Sequence, residues 1–457
     1  MLDRNNFSRC IGDSLSRANV GILWEILHSF LCISYGGGIR TLSRYTTYSE
    51  RSLFRFIRQT INWNALFVRI FKYFIHKEGC IYLLVADETV ESKSRKSTFG
   101  QGRFYSSVLQ TAINLVCFFG FSLVEVDSEK SYFLGLNQVV HNEQDKAHIA
   151  VEKAKRAAGK GKPKGRKKGT KNAPKKSDVA ADAPEQTASF RTFKTFFESI
   201  MSLLSSLLPG LNLSYLILDS AYGNSKYLQL AKEKGLCVIS KLRQSPALFF
   251  LPDTPQNDTD TPNKKRGRPQ KYGRKVDIKN LPDTLIVSEK TENGIHYTIY
   301  QFQAYNKEMP AFLLNVVSTK ATNLKTGKVA YRHLFSNDLQ LDAQTMMAYY
   351  TLRFQIEFDF RDAKQHFGLH KFKNYHQTQL NNMFNLAFLA LVAAKVWQQQ
   401  WAIKLKQPKL SLLDLKTIIK AQKNLESILK LHKNNLNVFL NPDFVANFVP
   451  NDIINAA

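Results

Sequence analysis

The residues best suited to chemistry lie in one stretch, from Asp342 to Phe367. At about 100° per residue, a helical face spanning an arc of roughly 80° collects one acid, one aromatic residue and three cations: Tyr350, Arg353, Glu357, Arg361 and Lys364. A carboxylate can bind a divalent metal ion, and the tyrosine, arginine and lysine groups can donate to phosphate oxygens. This face therefore indicates a phosphodiester and a metal ion as ligands. The alternative is a solvated face with supporting ion pairs four residues apart.

The same stretch has helix start and stop signals. Asp342 is suited to cap the helix at its first turn, no proline or glycine interrupts the segment, and Gly368 follows the last periodic residue. The pattern predicts one continuous helix from Asp342 to Phe367.

Two more acids, Asp87 and Asp219, each follow a short apolar run that is typical of a buried strand. A carboxylate at such a position is costly unless a cation lies beside it, although a single strand-end Asp is usually a turn former. If the two strands are neighbours, these acids and Glu357 supply three ligands from three elements. Such a set suits one or two Mg²⁺ or Mn²⁺ ions about 3.5 to 4 Å apart.

The elements around these acids predict an α/β fold. Strand-like runs follow Ile81, with a hairpin expected at Gly120, and a β-α-β unit follows Asn212 with its helix at Ser225–Lys234. Four further strand-like runs, read as antiparallel, precede the Asp342 helix and form a β-rich insertion: TLIVSEK, HYTIYQFQAY, AFLLNVVST and KVAYRHLFS. The most apolar run, from Met383 to Trp397, includes Asn385 and Lys395 and falls short of about 18 apolar residues, so a core helix, placed at Phe384 to Gln399, is predicted rather than a membrane span.

The N-terminal region has the layout of a helix-turn-helix. A helix from Ile39 to Thr47 is followed by Ser49 as a cap and by a second helix, from which Arg51, Arg55 and Arg58 would project toward DNA. The alternative is a small helical bundle with a basic face.

The charge balance points to a polyanionic partner. The 457 residues include 64 Lys and Arg against 37 Asp and Glu, giving a net charge of +27. Twelve cations and no acid lie between Lys153 and Lys176, within a low-complexity segment, 143–186, that is expected to be disordered. Arg268, between Gly267 and Pro269, resembles a minor-groove hook, with a basic hairpin tip as the alternative. The rest of the chain still carries about +15.

The five cysteines are scattered and lack the spacing of a zinc site, and the N-terminus has no signal-peptide pattern. These features predict a cytoplasmic protein without a disulfide framework, and no membrane or small-molecule substrate is expected.

The order strand-Asp, strand-Asp, helix-Glu resembles the DDE transposases with an RNase H-like fold. Within the helix, the pattern Tyr350-x-x-Arg353-x-x-x-Glu357-x-x-x-x-x-x-Lys364 is similar to the Tyr-Arg-Glu-Lys signature of the insertion-sequence IS-four family. The resemblance covers residues from about 80 to 400. Together with the patterns along the chain, it gives a division into a helical DNA-binding domain (1–79), a catalytic core in two parts (80–243 and 336–400), the β-rich insertion (244–335) and a C-terminal helical region (401–457).

The resemblance implies cut-and-paste transposition by a dimer that bridges two element ends. Asp87, Asp219 and Glu357 would hold the metal ions, while Tyr350, Arg353 and Lys364 would grip DNA phosphates. The partners would be the terminal inverted repeats and the target DNA. Relatives that form hairpins flip a base onto an aromatic residue, in some cases a Trp. This chain has no Trp between the second and third acids, so the alternative stacking residues are Tyr297, Tyr300, Phe302 and Tyr305.

Two other hypotheses stay open at this point. A domesticated relative would use the same basic surface to hold DNA without cutting it, and a stand-alone nuclease of the same fold would cut without strand transfer. The complete set of three acids favours the transposase over the binding protein.

Overall fold

A computed structural model describes residues 2–12, 14–33, 37–106, 109–158, 186–243, 246–252 and 271–432. The described helices are α1 (Arg4–Ile11), α2 (Arg17–Cys32), α3 (Ile39–Ser43), α4 (Glu50–Phe56), α5 (Trp63–Phe74), α6 (Glu143–Ala158), α7 (Ala188–Leu207), α8 (Ser225–Glu233), α9 (Ala343–Thr351), α10 (Phe354–His366), α11 (Gln377–Lys404) and α12 (Leu412–His432). The strands are β1 (Ile81–Glu91), β2 (Gly102–Ser106), β3 (Thr111–Glu125), β4 (Lys130–Val139), β5 (Asn212–Leu218), β6 (Cys237–Lys241), β7 (Leu248–Phe249), β8 (Ile286–Glu292), β9 (Ile295–Asn306), β10 (Leu313–Asn323) and β11 (Val329–Ser336).

All these strands belong to one mixed sheet. Its path runs β2-β3-β1-β5-β6-β11-β10-β9-β7, with β4 paired to β3 and β8 to β9. β1 is antiparallel to β3 and parallel to β5, and β5 is parallel to β6. The four predicted antiparallel strands are present, and β11 pairs with β6. The β-rich insertion therefore extends the central sheet and does not form a sheet of its own.

Gly120 is not a hairpin turn, which corrects the prediction. β3 continues through it, and Gly120 pairs with Asp87 of β1. A Cβ atom at Gly120 would lie 2.5 Å from the Phe133 ring, so the glycine is needed for close packing. The chain turns instead between β3 and β4, where Glu129 adopts a positive φ of 54°. From the sequence, a glycine that leaves room for a packed aromatic ring looks the same as a glycine in a turn.

Helices cover both faces of the sheet. Successive side chains of a strand point to opposite faces, and β3 shows this directly. The ring centroid of Phe119 lies 5.4 Å from that of Phe193 in α7, whereas the Phe118 ring stacks on Phe384 of α11 with a centroid distance of 4.1 Å. The central strands are consequently buried on both sides.

α11 is a core helix, as predicted. It is long and apolar enough to cross a membrane, but 89% of its most apolar window is buried within the fold. Its polar residues bind internal partners. Asn385 accepts from the backbone N–H of Leu136 (3.0 Å), and Asn382 accepts from the Trp63 indole (2.7 Å). The second contact fixes α5 of the N-terminal region against α11.

Part of the segment predicted to be disordered is helical. α6 covers 143–158, and Asp145 near its start forms an ion pair with Arg191 of α7. The ion pair compensates the buried charge of Asp145 and holds α6 against α7. Amino-acid composition alone could not predict this contact. The rest of that segment, including most of the Lys153–Lys176 run, lies outside the described residues.

We expect acid to destabilise the fold through His28. Its ring contacts Trp24 and Trp397 at 4.3 and 4.4 Å, and burial lowers its pKa to about 4. Since the unfolded state binds a proton near pH 6.5 and the folded state does not, stability falls as the pH drops from about 6.5 to 4. The loss is on the order of 3 kcal/mol. Urea unfolding at several pH values measures it, and His28→Gln should flatten the profile in this window.

Candidate active site

The sheet brings the first two acids together. The parallel pairing of β1 with β5 ends at Ala86 opposite Leu218, so Asp87 and Asp219 occupy the next position on neighbouring strands. The expectation of adjacent strands is confirmed. The expectation that Asp87 ends its strand is wrong, because β1 continues to Glu91 through its pairing with β3.

The third acid lies on α10, and the predicted single helix is in fact two. Asp342 caps α9 by accepting from the N–H of Thr345 (2.9 Å), and Gly368 follows α10 with a left-handed φ of 65°. Between the helices, the N–H of Arg353 bonds the carbonyl of Tyr350, three residues back instead of four. Such a tight turn often marks a functional position within a helix. Helical periodicity alone could not predict it, since both segments keep helical patterns.

One arginine joins two of the acids. Arg353 donates through Nη1 to Asp87 Oδ2 (3.1 Å) and forms an ion pair through Nη2 with Glu357 Oε1 (2.7 Å). The Arg353 side chain is 7% exposed, whereas that of Glu357 is 43% exposed. The buried guanidinium therefore holds α10 against β1 and places both carboxylates within reach of a single cationic group.

The electrostatics extend to Asp219. Burial raises the pKa of Asp87 to about 7; Arg353 and the Glu88 N–H oppose this rise, and the charges of Asp219 and Glu357 add to it. Asp87 thus interacts with both other acids. Three mutually repelling carboxylates require positive charge nearby, and Arg353 supplies part of it.

The donor set fits a divalent cation. Magnesium binds carboxylate oxygens, and a cation at this position would relieve the repulsion that raises the pKa of Asp87. Among the described residues, no group of three Asp, Glu, His or Cys side chains is arranged to coordinate a metal ion. At this site, Arg353 lies between Asp87 and Glu357. Because the guanidinium binds Asp87 Oδ2 and Glu357 Oε1, a metal ion at those two oxygens would compete with it.

The two remaining signature residues have different surroundings. Tyr350 is 3% exposed, and burial raises its pKa. Lys364 forms an ion pair with Glu91 (3.0 Å) and donates to the carbonyl of Val90 (3.1 Å). Lys364 therefore fixes the far end of α10 along β1 in this structure.

The sequence reasoning missed three residues beside the site. Arg332 of β11 lies with its guanidinium carbon 5.0 Å from the centroid of the Tyr350 ring. Phe354 and Phe358 are 42% and 43% exposed on α10, on either side of Glu357. For Phe354 and Phe358, the sequence did show two phenylalanines close to Glu357 in the chain, and this was a usable signal. Arg332 gave none, because only the packing of α9 on β11 brings it near.

Other predicted residues lie elsewhere or outside the description. The side chains of Arg51, Arg55 and Arg58 are exposed on or just after α4, which Ser49 caps as expected. Arg268 lies outside the described residues. Of the proposed stacking residues, two are buried, Tyr300 and Phe302, and two are partly exposed, Tyr297 and Tyr305.

One family model matches a large part of the chain. Residues 39–304 match the family described as DDE superfamily endonuclease, a span that includes Asp87 and Asp219 and stops before Glu357. No curated protein matches the chain at a significant level. Because the match covers more than half of the sequence, this chain belongs to the DDE superfamily endonuclease family.

Proposed function

We propose that the protein is a DNA transposase that excises an insertion sequence and joins its ends to target DNA. The observation that carries this proposal is the Arg353 bridge between Asp87 and Glu357 beside Asp219. The bridge joins one strand position to the helix position of a DDE enzyme, and the charge of the second strand acid, Asp219, acts on Asp87. The Tyr-Arg-Glu-Lys spacing supports a relation to the IS-four family.

The sheet order supports an RNase H-like core. In the run β4-β3-β1-β5-β6, the first three strands are antiparallel and the last three are parallel. This order places β1 at the centre and exposes the carboxyl end of β5 beside it. Ligands of α/β sheets bind at such edges.

The carboxylates of Asp87, Asp219 and Glu357 would hold one or two Mg²⁺ or Mn²⁺ ions. A metal ion bound there would activate a water molecule or the 3′-OH of the DNA as the nucleophile, and would neutralise the charge on the leaving oxygen. Arg353, once released from one carboxylate, can donate to a phosphate oxygen in a planar, bidentate manner. Tyr350 and Lys364 would act as further phosphate donors, as the signature implies.

Phe354 and Phe358 are well placed to stack on unpaired bases. They are exposed and lie three residues before and one residue after Glu357 on α10, whereas Tyr300 and Phe302 are buried. Stacking on an aromatic ring is worth about 1 to 3 kcal/mol per base and tolerates any sequence. We therefore assign them the role of holding a distorted DNA end, should a hairpin form.

The test uses a labelled duplex made from the DNA that flanks the coding region. With Mg²⁺, the protein should nick this end and join it to a target duplex, and sedimentation should show two protein chains per pair of ends. Binding without nicking would support the domesticated DNA-binding protein. Nicking without joining would support the stand-alone nuclease.

Deleting the basic run should weaken nonspecific DNA binding and leave cleavage intact. Each cation that neutralises a phosphate releases counterions, so the affinity and its salt dependence should both fall. Because α6 extends to 158, a deletion of 159–176 removes nine of the twelve cations and spares the helix. Fluorescence anisotropy against salt concentration measures the slope. An unchanged slope would contradict the proposed role.

A further inference from the structure

Arg332 lies on the site side of the sheet. Its neighbour His333 points to the other face, where its ring bonds Ser318 (2.9 Å), so the alternation of β11 directs Arg332 toward α9. There its guanidinium carbon is 5.0 Å from the centre of the Tyr350 ring, and that of Arg353 is 5.9 Å from the same centre. Two guanidinium groups thus approach one aromatic ring.

The two arginines differ in how their charges are compensated. Arg353 has ion pairs with Asp87 and Glu357. In the part of the chain that the structure describes, Arg332 has no carboxylate partner, and its Nη2 atom is buried without a hydrogen-bond acceptor. A buried guanidinium N–H that loses water and gains no acceptor costs folding free energy. Such a group is expected where an acceptor arrives from another molecule.

The surroundings of Arg332 favour an anion as that acceptor. Burial lowers the pKa of Arg332, and the positive charge of Arg353 lowers it further. A negative ligand between or beside the two arginines would remove this repulsion. Arg332 is partly exposed as a residue, but Nη2 itself is enclosed, so a ligand reaches this atom only when the side chain rotates toward it. The planar guanidinium fork matches the oxygens of a phosphate group.

We propose that Arg332 is a second phosphate-binding arginine, whose side chain rotates toward the DNA strand held at the carboxylates and donates Nη2 to one of its phosphodiester oxygens. The proposal rests on the proposed function and adds to it a residue outside the Tyr-Arg-Glu-Lys pattern. Nη1 and Nη2 of Arg353 bind carboxylates, and only its Nε lacks an acceptor, so Arg332 adds a guanidinium group that no carboxylate of the described residues holds before any metal binds.

The experiment measures DNA binding without divalent metal, so that no cleavage intervenes. A fluorescein-labelled duplex carrying the gene-flanking end is titrated with wild type, Arg332→Gln and Arg332→Lys. Removing one phosphate contact should weaken binding about tenfold and reduce the salt slope by about 1. Arg332→Lys should keep the slope and part of the affinity, because it keeps the charge and loses the fork. The control is Arg69→Gln, a half-buried arginine of α5 that donates to the carbonyl of Cys10 (3.5 Å).

A set of duplexes, each with one uncharged methylphosphonate, then locates the contact. Wild type should lose affinity at several positions, and Arg332→Gln should become insensitive at one of them. Thermal melting confirms that the variants fold. If Arg332→Gln does not fold, Arg332→Lys is tested with the same methylphosphonate duplexes. The proposal then predicts that one methylphosphonate position costs this variant less binding affinity than it costs wild type.

The outcomes separate this proposal from the proposed function. If wild type cleaves DNA with Mg²⁺ while Arg332→Gln keeps wild-type affinity, slope and methylphosphonate pattern, the Arg332 proposal is overturned and the transposase stands. If Arg332→Gln loses one phosphate contact but wild type never cleaves, the phosphate site is supported and the transposase is not.

Discussion

Asp219→Asn is expected to abolish DNA cleavage while leaving DNA binding intact. The substitution keeps the size of the side chain and removes its charge, so a divalent cation at the proposed site would lose one of its three carboxylate ligands. Losing several kcal/mol of transition-state stabilisation lowers the rate by roughly 10³-fold or more. Single-turnover cleavage of the labelled end measures the rate. Anisotropy with the same duplex measures binding. Asp87→Asn should show the same loss.

Glu88→Gln is the matched control for Asp87→Asn. Glu88 is adjacent on β1 but points to the opposite face, and burial raises its pKa. Its neutralisation should leave cleavage near the wild-type rate. Cleavage that survives in Asp219→Asn would remove that acid from the site. A loss in Glu88→Gln equal to that in Asp87→Asn would mean that the strand, and not the carboxylate, was disturbed.

Lys395→Met should destabilise the fold by about 3–5 kcal/mol, because it leaves a buried charge without its partner. Asp359 is 1% exposed and forms an ion pair with Lys395, which also donates to the carbonyl of Ser131 (2.7 Å). The pair connects α10 with α11 and β4. Its loss should therefore also loosen the helix that carries Glu357. Urea unfolding monitored by circular dichroism measures the free energy.

Lys404→Met on the same helix is the control, since Lys404 is exposed. It contacts only the Trp401 ring, at 5.5 Å, among the contacts described, so its loss should cost less than about 1 kcal/mol. The double variant Lys395→Met with Asp359→Leu should recover most of the stability, because no unpaired charge is left. Equal stabilities of Lys395→Met and Lys404→Met would show that the buried pair contributes nothing.

Local patterns were sufficient for most elements near the site. The caps at Asp342 and Ser49, the helix Ser225–Lys234 and the four strands of the insertion follow from side-chain periodicity and capping chemistry, which act within a few residues. The β-α-β unit after Asn212 is present, with β5 and β6 parallel. These features depend on nearest neighbours along the chain. That Asp87 and Asp219 lie on neighbouring strands was only a condition in the sequence, and the parallel register of β1 with β5 meets it.

What the sequence by itself determined was the identity of the chemical groups and the order in which the chain presents them. The tertiary structure alone decided three other matters: that β3 passes straight through Gly120, that the helix tightens at Arg353, and that Arg332 comes to face Tyr350. Each depends on a contact between residues far apart in sequence, such as the Phe133 ring over Gly120 or the ion pair of Arg353 with Asp87. Local propensity carries no information about such contacts, because their energy exists only after the sheet and helices have packed.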